Sequence, residues 1–135
     1  MARILLVDDY PDALDVWSLY LKMAGFEVVT AGDGLTALDL AQRERPDLAI
    51  LDLELPGING FELARRLRAD GVVSAIPLIA VTGHSQPDRI EQARRAGFDL
   101  VYTKPCDPEK LCLDIRRLLA ELRSVSSVPP TGLKR

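Results

Sequence analysis

The chain has 135 residues, 47% of them hydrophobic and 27% charged, which is one domain's worth of ordinary globular material with enough apolar content for a core without staples. A formal net charge of −3 gives no electrostatic footprint for nucleic acid. No apolar run approaches the roughly 20 residues of a membrane span, Met1-Ala2-Arg3 leads straight into Ile4 without room for a secretory leader, and the two cysteines, Cys106 and Cys112, have no metal or redox spacing. A reducing cytoplasmic setting with free thiols is expected.

Ile4 to Val7 is a continuous apolar run and predicts a central strand, with Asp8 and Asp9 at its end. Pro11 suits the first turn of a helix, in which Leu14, Trp17 and Leu21, with Val16 and Tyr20 beside them, give helical spacing up to a stop at Gly25. Phe26 to Thr30 alternates and is β-branched, so it predicts a more exposed second strand. After a turn at Gly32-Asp33-Gly34, Leu35, Ala37, Leu38 and Ala41 mark a second helix, stopped before Pro46. Asp47 to Leu51 is the third strand. It runs into Asp52, and Pro56, Gly57, Asn59 and Gly60 then turn the chain into a helix reaching about Asp70. Leu78 to Val81 is a fourth apolar run, ending in Thr82-Gly83-His84-Ser85. Pro87 opens a short helix closed by Gly97, and Leu100 to Thr103 forms a fifth strand before Lys104-Pro105. Asp107-Pro108 reads as an N-cap followed by proline at the first helical position, with Leu111, Ile115, Leu118 and Leu122 striping the last helix. Ser124 to Arg135 shows no periodicity, so residues 123–135 are expected to form a flexible tail behind a domain spanning 1–122.

Five successive strand–helix units predict an α/β fold: a doubly wound, flavodoxin-like, five-stranded parallel sheet with helices on both faces and right-handed crossovers. The order 2-1-3-4-5 makes the first and third strands neighbours at the switch point. Asp8, Asp9 and Asp52 then lie side by side, with Thr82 and Lys104 on the same edge. Singly, each has an ordinary reading as a loop cap, a strand end or a solvated charge. Together they are five polar groups at the carboxyl ends of four otherwise apolar strands. At an effective dielectric near 20, two like charges about 4 Å apart cost roughly 4 kcal/mol. Three clustered carboxylates therefore need a cation or shared protons. An all-oxygen site that is only partly made by protein suits Mg²⁺, which keeps waters and accepts phosphate oxygens. With a lysine and a hydroxyl alongside, this is a set for phosphoryl transfer, and Asp52 is the candidate nucleophile, forming an acyl phosphate.

Leu6-Val7-Asp8-Asp9, Asp52 with Pro56-Gly57 and Gly60, Thr82-Gly83, and Lys104-Pro105 occur in the order and at the spacing of a known set. Over residues 2 to 122 the chain resembles the receiver domains of two-component response regulators, in particular the single-domain chemotaxis type. The resemblance implies a phosphorylation-dependent signalling switch. Asp52 takes a phosphoryl group from the phosphohistidine of a sensor histidine kinase or histidine phosphotransfer protein. Asp9 and Asp52 hold Mg²⁺ directly, Asp8 helps through water, the Glu54 backbone carbonyl is a further ligand, and Thr82 and Lys104 bind phosphoryl oxygens. Output is then through a downstream target protein, with no direct contact to nucleic acid or membrane. Such a domain assists its own phosphoryl transfer and dephosphorylation and is not a turnover enzyme. One position departs from the usual pattern. Val101 stands three residues before Lys104, where many receivers carry a switch aromatic, and Tyr102 is its neighbour on the opposite face of the strand. The rival reading is an aspartyl-phosphate-forming phosphohydrolase, in which Glu54 of Asp52-Leu53-Glu54 protonates a leaving group. Glu54 and the lone His84, each two residues past a site residue, are expected at the rim of the pocket.

Overall fold

The computed structural model describes residues 1–71, 73–84 and 86–127, with side chains described as far as Glu121. Five strands alternate with five helices: β1 (Arg3–Val7), α1 (Pro11–Met23), β2 (Glu27–Ala31), α2 (Gly34–Glu44), β3 (Leu48–Asp52), α3 (Gly60–Ala69), β4 (Leu78–Thr82), α4 (Pro87–Ala96), β5 (Leu100–Thr103) and α5 (Pro108–Ser127). The strands form one parallel sheet in the order β2-β1-β3-β4-β5, as expected.

Alternation along each strand divides the core in two. Leu5, Val7, Ala49, Leu51, Leu78 and Ala80 face α2, α3 and α4. Ile4, Leu6, Leu48, Ile50 and Ile79 pack with Leu21 of α1 and with Leu111 and Ile115 of α5. β1 and β3 are apolar on both faces because helices cover both. α2, α3 and α5 begin where the sequence offers a side-chain oxygen to their first amides, whereas α1 and α4 begin at a proline without such a cap. Asp33 accepts from Thr36 N at 2.7 Å, Asn59 from Glu62 N at 3.0 Å, and Asp107 from Glu109 N at 3.0 Å.

Differences from the expected elements have local causes. Val16, beside the Leu14, Trp17 and Leu21 spacing of α1, is exposed, and with Leu19 and Met23 it makes an apolar stripe on the outer face of that helix. Leu118 is partly buried on the α5 stripe, and the Leu122 side chain lies outside the described residues. α5 runs on to Ser127, into the stretch where a tail is expected from 123. Ser124 to Ser127 contain neither glycine nor proline, so the helix can propagate. The first stop signals are Pro129 and Pro130. The remainder of that expected tail, 128–135, lies outside the described residues.

At the amino ends of β4 and β5 a single side chain closes the structure. Arg68, near the end of α3, donates to the carbonyls of Ser74, Ile76 and Gly97 and to the Asp99 carboxylate. Asp99 also accepts from Leu78 N at 2.8 Å. Gly97, the αL cap of α4 with φ +111°, brings the chain so near that a Cβ there would meet Arg68 at 2.9 Å.

Candidate phosphoacceptor site

The register of the parallel sheet builds the site. Val7 pairs with Leu51, Asp52 with Val81, and Thr82 with Thr103. Residues at the ends of β1, β3, β4 and β5 therefore share one edge. Oxygens of Asp8, Asp9 and Asp52 lie within 4.8 Å of one another. Asp9 is exposed, Asp8 half-buried, and Asp52 only 4% exposed. Gly60 lets the start of α3 pass over this strand end: a Cβ there would meet the Asp52 carbonyl oxygen at 2.5 Å.

Both Asp52 oxygens are engaged. Oδ1 accepts from the Glu54 backbone N–H at 2.9 Å, and Oδ2 accepts from Lys104 Nζ at 2.7 Å. Lys104 Nζ also lies 3.7 Å from Asp8 Oδ2. Burial pushes the Asp52 carboxyl above the usual aspartate range. The Lys104 ammonium and the Glu54 amide work against that rise without cancelling it, and Asp8 adds to it. On Lys104, burial acts against the charge, but the hydrogen bond and the charge of Asp52, with Asp8 and Glu54, prevail and raise its pKa. Thr82 is fully buried. Its hydroxyl donates to the Glu54 carboxylate and accepts from His84 N at 3.1 Å.

The sequence-predicted groups thus converge. Glu54 turns its carboxylate onto Thr82 and is half-buried, while the His84 side chain is exposed and its backbone makes the nearer contact. Ser85, grouped with them in the expected loop, lies outside the described residues. Arg89 on α4 was not foreseen. It forms an ion pair with Glu54 across 35 positions of sequence, and no local pattern marks it. From the carboxylates a cavity of about 560 Å³ opens toward α1 and α5, walled by Leu6, Ile50, Val81, Trp17, Cys106 and Leu111.

Comparison with known proteins decides the family. The model for the response regulator receiver domain matches residues 4–116. The chain belongs to the response regulator receiver family. This receiver is 39% identical over 120 residues to Protein PilH of Pseudomonas aeruginosa, covering 89% of the chain and 99% of that protein. It is 40% identical over 119 residues to the DNA-binding dual master transcriptional regulator RpaA of Synechocystis, covering 88% of the chain but 49% of RpaA. The receiver therefore spans nearly all of one relative and about half of the other. Among solved structures it superposes on the Vibrio cholerae chemotaxis protein CheY4 with a TM-score of 0.83 at 33% identity, covering 87% of the receiver and 98% of that chain. Like its family, the receiver is a phosphorylation-dependent signalling switch.

The donor set fits a small divalent cation. The three carboxylates each offer an oxygen within 4.8 Å of the others, an all-oxygen set of the kind a hard divalent cation such as Mg²⁺ takes.

Proposed function

We propose that Asp52 accepts a phosphoryl group from the phosphohistidine of a sensor histidine kinase or histidine phosphotransfer protein, and that the modified domain then alters its binding to a downstream protein. The observation that carries this reading is the buried Asp52 carboxylate, held 2.7 Å from Lys104 Nζ beside Asp8 and Asp9.

An oxygen of Asp52 attacks phosphorus, the new O–P bond forms as the P–N bond breaks, and the electron pair returns to the imidazole nitrogen. The Glu54 amide fixes Oδ1, which leaves Oδ2 for the attack. Lys104 turns from that oxygen to the phosphoryl oxygens, and Thr82 supplies a hydroxyl donor to them. Asp9 and Asp52, with the Glu54 carbonyl and with Asp8 through water, are the residues that would hold Mg²⁺. That ion supplies neutralisation of the charge gathered on the phosphoryl oxygens. Glu54 does not suit the proton donor of a phosphohydrolase. Burial pushes its carboxyl up, but the hydrogen bonds from Arg89 and Thr82 outweigh this and hold it below the ordinary range, as an anion. This supports a self-modifying switch over a turnover enzyme.

The exposed Val16, Leu19 and Met23 stripe on α1 runs down the helix that starts beside the carboxylates, which supports docking of a protein donor there. The net charge of −3 supports partners other than nucleic acid. Among the described residues no helix is long and apolar enough to cross a membrane. Cys106 and Cys112 are free thiols whose pKa values burial raises, which supports packing roles over redox ones.

Incubation with acetyl phosphate and Mg²⁺ should add one phosphoryl mass to the wild-type chain and none to Asp52→Asn, read by intact mass spectrometry. Equal labelling of the two would overturn the assignment of Asp52.

A further inference from the structure

A threonine hydroxyl has one proton to give. Here Thr82 gives it to Glu54, with Oγ1 lying 3.0 Å from Oε2 and 3.2 Å from Oε1. A phosphoryl group on Asp52 needs that same proton, so Glu54 and the phosphoryl group compete for it. The Glu54 carboxylate also accepts from the guanidinium of Arg89 on α4. That guanidinium sits over the ring of Phe61, 5.1 Å from its centroid, and Phe61 is buried at the second position of α3. Arg89 Nε is buried with no hydrogen-bond partner. A guanidinium that leaves a buried donor unmade is held by its other contacts, here the Glu54 carboxylate and the Phe61 face. Thr82, Glu54 and Arg89 thus form a continuous chain from the phosphoacceptor edge of the sheet to the first turns of α4. Val101 offers no ring that could do the same through β5.

We propose that Glu54 and Arg89 are positioning residues for the phosphoryl reaction: they hold the Thr82 hydroxyl away from Asp52 until a phosphoryl group claims it, and Arg89 carries that exchange to α4. This rests on Asp52 as the phosphoacceptor. The acyl phosphate carries about −1.5 to −2 of charge where the Asp52 carboxylate carried −1, and it draws off the Thr82 donor of Glu54. Glu54 is then repelled and left with one cationic partner. It turns outward with Arg89, and α4 follows.

Beryllofluoride with Mg²⁺ serves as the phosphoryl stand-in, read by amide NMR on the full chain. In the wild type, shifts are expected at Thr82, Gly83 and Lys104 and also along Arg89 to Ala93 of α4. In Arg89→Gln the shifts at Thr82 and Lys104 should remain while those of α4 fall to less than about half. Arg89→Lys should restore most of them, which a general loosening of α4 would not allow. Glu54→Ala should tighten beryllofluoride binding by about 5-fold where Thr82 is intact, and by a clearly smaller factor in Thr82→Ala, where only the charge effect is left. Unchanged α4 shifts in Arg89→Gln would overturn the role of Arg89, and equal factors in the two backgrounds would overturn the competition for the hydroxyl. No response at Lys104 in the wild type would bring down the phosphoacceptor reading itself, and this proposal with it.

Discussion

Asp52 is a residue in an unfavourable place. Its carboxyl is buried, raised in pKa by that burial, and set beside two further carboxylates, with Lys104 offsetting part of the cost. A group whose folded pKa lies above its unfolded value contributes stability at low pH and loses it as pH rises through the folded pKa. At neutral pH the ionised Asp52 is therefore a liability to the fold. Asp52→Asn should raise the melting temperature in metal-free buffer by roughly 3–5 °C, about 1 kcal/mol at this chain size, and the gain should shrink on adding Mg²⁺. Thermal unfolding with and without the ion checks it, and a less stable variant would count against the argument. Sequence made Asp8, Asp9, Asp52, Thr82 and Lys104 legible because they stand at the ends of mainly apolar strand runs. Arg89 and Arg68 had no such contrast. Each lies among other charged residues of its helix, and their partners lie up to 35 positions away.

The elements show where local chemistry sufficed. Asp33, in the expected Gly32-Asp33-Gly34 turn, is the N-cap of α2, accepting from both the amide and the hydroxyl of Thr36. Those bonds, the amide's foremost, hold its carboxyl below the ordinary value of 3.8. A lowered pKa contributes stability above the unfolded value and loses it as pH falls through the folded one. Asp33→Ala should therefore lower the melting temperature at pH 7, and the difference from wild type should close as pH drops below 3.8. Equal differences at both ends of that range would show that the cap is not ionic. β5 carries a second lesson. Its alternation correctly put Val101 and Tyr102 on opposite faces, but not what Tyr102 does. Its hydroxyl donates to Asp114 of α5, and Lys110 Nζ lies 5.9 Å from the ring centroid, so the ring is engaged with the last helix. Val101→Ala should accordingly leave the beryllofluoride shifts at Thr82, Gly83 and Lys104 in place. Their loss in a variant still modified at Asp52 would move the switch to β5.

Across the whole molecule, the five strand–helix units and the two-sided core followed from hydrophobic pattern, because a parallel sheet covered on both faces leaves few arrangements, while the order 2-1-3-4-5 came from the common doubly wound topology. What pattern could not supply is how firmly each edge of the sheet is held. Arg68 ties the end of α3 to the segments entering β4 and β5, while the opposite edge holds clustered carboxylates and a hydroxyl with two claimants. Arg68→Ala leaves three half-buried carbonyls short of a donor and should cost about 1–3 kcal/mol, seen as a lower urea midpoint. A loss under about 0.5 kcal/mol would mean that water replaces the guanidinium.

The Arg68 clamp also sets the geometry of any response. β4 is pinned at its entry by Arg68 and Asp99, and its sheet pairing ends at Thr82, so its entry is a fixed pivot for the chain beyond that point. A small displacement at Thr82 then swings the chain that follows it, rather than sliding β4 along its neighbours. Backbone amides at Leu78 and Asp99, on the pivot, should exchange with solvent slowly whether or not Asp52 is modified. Those of Gly83 and His84, at the free end, should change their exchange rate on modification, so that one strand reports rest at one end and motion at the other.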